Sequence, residues 1–347
     1  MKKNAKVLSM ILAGAMALSL AGCSSSGSKE GAEETMVKSE ETAAGEAGAA
    51  DAAGETYQIG VIQLVQHDAL DAANKGFFAA LDEAGIDYEA DQQNASGEQA
   101  NCMTIAEKLV NDGSDLILAI ATPAAQAVAG VTDEIPVLLT AVTDPAESGL
   151  VNDNEKPGVN VSGTSDLTPV KEQIDLLQQL LPEAKKIGLL YCSAESNSQL
   201  QIAMAEEACK AAGLSYEEYT VPSSNEIQSV VESMVGKVDA IYAPTDNVIA
   251  AGMSTVAMVA TDNKIPVICG EAGMVNAGGL ATYGIDYYQL GYMTGEQAIE
   301  VLTKGADVAE MPIDYLPAER CALTVNKTTA DALGIDISGL EGAEIVE

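Results

Sequence analysis

The chain has 347 residues, with 17 Lys plus Arg against 52 Asp plus Glu, and a formal net charge of −35. So acidic a surface excludes nucleic acid as a partner, because that binding needs clustered basic residues. One His, no Cys-x-x-Cys spacing and no Ser or Cys nucleophile elbow give no support for a metal site, a cofactor or an enzyme activity.

The N-terminus reads as an address. Lys2, Lys3 and Lys6 precede an apolar run from Val7 to Leu20 that is too short and too rich in small residues for a retained membrane helix. The run ends in Leu20-Ala21-Gly22-Cys23, which resembles the lipobox of bacterial lipoproteins. That resemblance implies cleavage after residue 22 and lipidation of Cys23, and so an extracytoplasmic protein anchored to the cell membrane. Residues 23–55 then form the lipidated Cys and a tether rich in Ser, Gly, Ala and Glu, too poor in large apolar groups to offset the entropy of ordering. The other cysteines, Cys102, Cys192, Cys209, Cys269 and Cys321, are scattered and odd in number, which predicts free thiols.

From Ile59 onwards short apolar strands alternate with helical patterns. Strands are expected over residues 59–64, 88–92, 116–121 and 137–142, and helices over 68–84, 98–111 and 123–131. A second series follows, with strands over 187–191, 216–221, 240–243 and 267–269 and helices over 199–212, 226–235 and 248–261. A helix over 290–302, an extended piece over 313–325 and a short helix complete the chain. The alternation predicts α/β architecture with parallel sheets covered on both faces.

The two series are related as an internal repeat, displaced by about 125–130 positions. Ala84-Gly85 returns as Ala212-Gly213, Ile135-Pro136-Val137 as Ile265-Pro266-Val267, and Gly149-Leu150 as Gly279-Leu280. Two like units suggest two Rossmann-like lobes facing one another across a cleft, joined by three connections that act as a hinge. The expected division is residues 56–163 with 285–318 for lobe 1, and 164–284 with 319–347 for lobe 2.

Ligands of open parallel sheets bind beyond the carboxyl ends of the strands. That rule selects His67, Thr122, Pro123 and Ala124, Thr143 and Asp144, the loop 193–198 with Asn197 and Ser198, Asp246 and Asn247, and Glu271. Thr122-Pro123 reads as a helix start, with Thr122 as cap and the N–H groups of Ala124 and Ala125 turned to an anion, or as a plain cap. Asp246, Glu271 and Asp286 offer carboxylates for an ammonium group, or serve as caps and turn residues. His67 contacts a ligand or caps the helix after it. With Arg320 the only Arg, a multiply charged anion is disfavoured, and one carboxylate plus one ammonium fits a zwitterion. There is no Trp, and Phe77 and Phe78 sit on a helix that looks structural, so an aromatic ligand would stack on a Tyr such as Tyr191 or on aliphatic surface.

The lipobox, the segments 121–126, 140–145, 161–166, 193–198 and 244–247, and the overall order resemble the substrate-binding lipoproteins of ABC transporters, in the branch for tryptophan and tyrosine uptake. The resemblance implies a type I periplasmic-binding fold and an amino-acid ligand held between lobes, at loops around Thr122, Thr143, Asn197 and Asp246. It also implies a permease and an ATPase as partners. A sensory subunit for a membrane receptor, or a binder of another solute such as a nucleoside, is the alternative.

Overall fold

A computed structural model describes residues 56–317 and 320–347. The expected signal segment, Cys23 and the tether lie outside the described residues.

The first sheet collects β1 (Tyr57–Gln63), β2 (Tyr88–Asn94), β3 (Leu116–Ile120), β4 (Val137–Val142) and β5 (Val161–Ser165), interleaved with α1 (Asp68–Glu83), α2 (Gln99–Asn111) and α3 (Thr122–Ala129). The second begins after α4 (Val170–Leu180), with β6 (Lys186–Cys192), α5 (Ser196–Ala212), β7 (Ser215–Val221), α6 (Ile227–Met234) and β8 (Ala240–Ala243). Then come α7 (Asn247–Ala251), α8 (Met253–Asp262), β9 (Val267–Cys269), α9 (Ala272–Asn276) and β10 (Ala281–Gly284). The chain returns to the first sheet through α10 (Tyr287–Lys304) and β11 (Asp314–Tyr315), and ends in the second with β12 (Ala322–Asn326), α11 (Lys327–Leu333) and β13 (Glu344–Val346).

The sheet orders are β2-β1-β3-β4-β5-β11 and β7-β6-β8-β9-β10-β12-β13. The first five strands of each unit thus follow one order, which is the repeat seen in the sequence. All pairings are parallel except β10 with β12. Strands β3 and β4 are buried along their whole length, as a sheet covered on both faces requires. The chain crosses between the sheets before α4, before α10 and between β11 and β12.

Gly60 and Gly188 occupy the same place in the two units. A Cβ on Gly60 would lie 2.6 Å from Ser114 Oγ, and one on Gly188 2.2 Å from Met234 Cε. Each glycine lets the neighbouring helical turn close onto its central strand. The contact between α1 and α10 is tighter still: a Cβ on Gly76 would lie 2.0 Å from the Tyr288 carbonyl oxygen, and one on Gly291 1.8 Å from that of Ala73. Phe77 is fully buried in the core of the first unit, with Phe78 packed against it edge-on.

The expected helix over 248–261 is two helices, α7 and α8, meeting at Gly252. A Cβ there would meet Ile227 Cδ1 at 2.3 Å, so the break brings α6 close. The five described cysteines are free, four of them buried. No described helix is long and apolar enough to cross a membrane.

Candidate functional site

The strand ends of the two sheets face each other around a small cavity. Its wall takes His67, Leu70, Ala141, Asp166 and Tyr287 from the first unit and its crossings, and Thr245, Asp246, Asn247, Ala250 and Glu271 from the second. A wider cleft opens beside it, between Leu64, Gly97 and Pro123 on one side and Glu195, Pro222 and Val248 on the other. No Lys or Arg lines either space. Polar bonds tie the two walls together. Gln201 Nε2 donates to Thr143 Oγ1 at 3.1 Å and also to Thr245 Oγ1, and Gln99 Nε2 donates to the Ala194 carbonyl at 3.0 Å.

Two strand ends enter the cleft through strained backbone. Ala121 has φ 83 and Ala141 has φ 55, a region that suits glycine, and β4 changes register between Leu139 and Val142. At Ala121 the turn delivers the start of α3. Ala121, not Thr122, is the N-cap, and Thr122 makes no capping bond. Its buried hydroxyl has no hydrogen-bond partner among the described residues. Ala124 is buried within the first helical turn, where N–H groups lack partners inside the helix. The N–H of Ala125, by contrast, donates to the Ala121 carbonyl at 3.0 Å and is not open to an anion.

The carboxylates differ in how much of their capacity the protein uses. Asp246 accepts from the Cys192 N–H at 2.6 Å, Ser198 Oγ at 2.7 Å and the Ile249 N–H at 2.8 Å, so both of its oxygens serve the second unit. Glu195 accepts from the N–H groups of Asn247 and Val248 and from the amides of Asn197 and Asn247. Burial, together with the negative charge of Asp246, raises the pKa of Glu195, and burial raises that of Asp246. Glu271 caps α9 through the N–H groups of Gly273 and Met274, and burial pushes it up to about 7. Asp144 closes a local turn on Ala146, Glu147 and Asn154. Asp286 is exposed, caps α10 and lies with Arg320 along a separate cleft.

Asp166 is different. Tyr287 OH donates to its Oδ2 at 2.8 Å, but Oδ1 is buried without a partner among the described residues. Burial raises its carboxyl to about 6, against the opposing pull of the Tyr287 and Thr143 hydroxyls, the second too loosely placed to count as a hydrogen bond by geometry. Asn197 Oδ1 and His67 Nδ1 are likewise buried and unpartnered. The cavity wall therefore holds two residues with unpaired acceptors, His67 and Asp166, and no cation, and it suits a ligand that brings its own donors and positive charge.

Of the residues that the strand-end rule selects, His67, Asp246, Asn247 and Glu271 line the cavity and Pro123 and Asn247 the cleft beside it, while Thr122, Ala124, Thr143, Asn197 and Ser198 are buried near the strand ends, Asp144 sits in a turn and Asp286 is exposed. The rule misses Asp166, Gln201 and Tyr287, and it takes in Glu195 only as part of the loop 193–198. Asp166 ends the crossing run Val161-Ser162-Gly163-Thr164-Ser165-Asp166, where a carboxylate after small residues is the available signal. Tyr191 points away from the cavity walls, its hydroxyl donating to Glu218.

Comparison with known proteins adds the family. The model of the ABC transporter substrate binding protein family matches residues 58–340. A tyrosine-binding protein of Clostridioides difficile (strain R20291) is 41% identical over 338 residues, covering 96% of this chain and 93% of its relative. The crystal structure of an ABC domain in complex with L-Trp from Streptococcus pneumonia is 41% identical, covers 84% of this chain and 100% of its own, and superposes with a TM-score of 0.81. The ligand-free, open structure of a substrate binding protein with adhesive properties from Clostridium difficile is 42% identical over 84% of this chain and 99% of its own, with a TM-score of 0.65. At nearly equal identity the ligand-bound form superposes better, in keeping with the bonds that join the two walls here.

Proposed function

The chain belongs to the family of ABC transporter substrate-binding proteins, and from that membership we propose that it is a lipid-anchored, extracytoplasmic receptor delivering an aromatic amino acid to an importer. As a member of that family it is a binding protein, not an enzyme, and its two units have the periplasmic-binding architecture.

The observation that carries the ligand class is the free oxygen of Asp166 in a cavity without basic residues. An α-ammonium group supplies the donors and the positive charge that this oxygen lacks. The α-carboxylate finds donors at the Thr122 hydroxyl and at the start of α3, where backbone dipoles favour an anion. Among the carboxylates that the sequence offers to an ammonium group, Asp246 has its oxygens engaged by Cys192, Ser198 and Ile249, which moves the role to Asp166. Apolar Leu70, Ala141 and Ala250 and the ring of Tyr287 suit the ligand side chain, with tyrosine or tryptophan favoured by what the relatives bind. A permease and an ATPase are the partners this role requires.

Titration calorimetry tests the reading with L-tyrosine, L-tryptophan, their analogues lacking the amine, a nucleoside and a sugar. The expected result is binding of the amino acids, with the amine-free analogues weaker by about 1.5–3 kcal/mol for the lost charge-assisted bond. Equal binding of the amine-free analogues, or preference for the nucleoside or sugar, defeats it.

A further inference from the structure

His67 stands just before α1, in the N-cap position, yet its side chain makes no capping bond. Its Nε2 lies 3.3 Å from Asn247 Oδ1, across the cleft. The orientation of that amide is fixed from the far side, because Asn247 Nδ2 donates to Glu195 Oε2 at 2.6 Å. Glu195 also receives the backbone N–H groups of Asn247 and Val248 and the amide of Asn197, so four N–H donors face its two oxygens. Asn247 therefore turns its oxygen to His67, and an oxygen there requires Nε2 to carry the proton. In a neutral imidazole Nδ1 is then a bare acceptor. Burial lowers the pKa of this imidazole, the Asn247 bond and Asp71 opposing, which keeps the ring neutral. Nδ1 is buried, has no partner among the described residues, and belongs to a residue of the cavity wall.

We propose that His67 Nδ1 accepts a hydrogen bond from a donor on the ligand side chain, a phenol O–H or an indole N–H, and so separates tyrosine and tryptophan from phenylalanine. The inference rests on the reading of the site as one for an aromatic amino acid. Asp166 and the start of α3 serve the two charged groups common to all amino acids, which leaves Nδ1 for what distinguishes them. A site built around a buried acceptor discriminates strongly against an analogue that leaves it unpaired.

The test compares four ligands by calorimetry: tyrosine, phenylalanine, tryptophan and 1-methyltryptophan. Wild type should favour one of the donor-bearing members over its donor-free counterpart by about tenfold or more, and the pair that shows the preference identifies the donor. His67→Gln places an amide where Nε2 stands and removes the acceptor at Nδ1, and should bring the preference to about threefold or less. His67→Asn places an amide oxygen near Nδ1 and should keep most of it. An unchanged preference in His67→Gln, or an equal loss for all four ligands, overturns the proposal while leaving the amino-acid reading intact. Binding of none of the four by wild type overturns both. Wild-type protein without a His tag gives a second readout, since His67 is the only His in the chain. Its Nδ1 nitrogen resonance should shift on adding the preferred amino acid, and an unmoved resonance under saturation counts against the assignment.

Discussion

Asp166 has an ordinary carboxylate chemistry in an unusual place, and its pH behaviour follows from that. Burial lifts its pKa in the folded protein to about 6, above the unfolded value of about 3.9. The folded state then binds more protons than the unfolded one between about pH 4 and pH 6, and stability falls as pH rises through that window, by up to about 3 kcal/mol for a shift of this size. Affinity runs the other way. An ammonium ligand needs the ionised carboxylate, so amino-acid binding should weaken as pH drops below about 6. Asp166→Asn should lower affinity by about 1.5–3 kcal/mol and flatten both pH profiles, as read by calorimetry and by thermal melts between pH 5 and 7.5. Neither the lifted pKa nor the free oxygen is legible in the sequence, because both depend on which donors the fold brings near. The same limit applies to Thr122 and Asp246. A Thr before Pro at a helix start and an Asp before Asn look alike as caps, and only the fold turns Ala121 into the cap of α3 and fills both oxygens of Asp246.

Helices α1 and α10 meet through glycines at carbonyl distance, and this seam is the most demanding contact between elements far apart in sequence. Gly291→Ala would put a methyl group 1.8 Å from the Ala73 carbonyl oxygen, which only a shift of one helix relieves. A cost of about 1–3 kcal/mol is expected for such overpacking, seen as a lower thermal midpoint and checked by calorimetric melting. Because His67 immediately precedes α1 and Tyr287 opens α10, the same shift should weaken ligand binding as well. The strands and helices of both units are legible from apolar runs and 3.6-residue periodicity, because burial forces those patterns on the sequence. Helix α4 escapes although it buries Val170, Ile174 and Leu177, β13 runs through Glu344, Ile345 and Val346 with little burial, and the division of α7 from α8 depends on the approach of Ile227.

The two units share one strand order, and their strand ends share one cavity, so the molecule is organised about the space between two copies of a single plan. The repeat is legible in the sequence because each copy must solve the same packing problem, as Gly60 and Gly188 do. If the N-terminal Cys23 carries lipid, Cys23→Ser should move the protein from the membrane to the soluble fraction on cell fractionation, with export unchanged; retention at the membrane would refute the anchor. The unpaired acceptors have a consequence for economy of transport. Shutting the two units without cargo would bury His67 Nδ1, Asp166 Oδ1 and Asn197 Oδ1 away from water, at about 1–3 kcal/mol for each unsatisfied group. An idle carrier is thereby held back from imitating a loaded one. In the importer role proposed for this protein, an ATPase coupled to a permease that responds to the shut shape would hydrolyse little nucleotide on empty visits, so the cavity that selects the cargo also suppresses futile cycling.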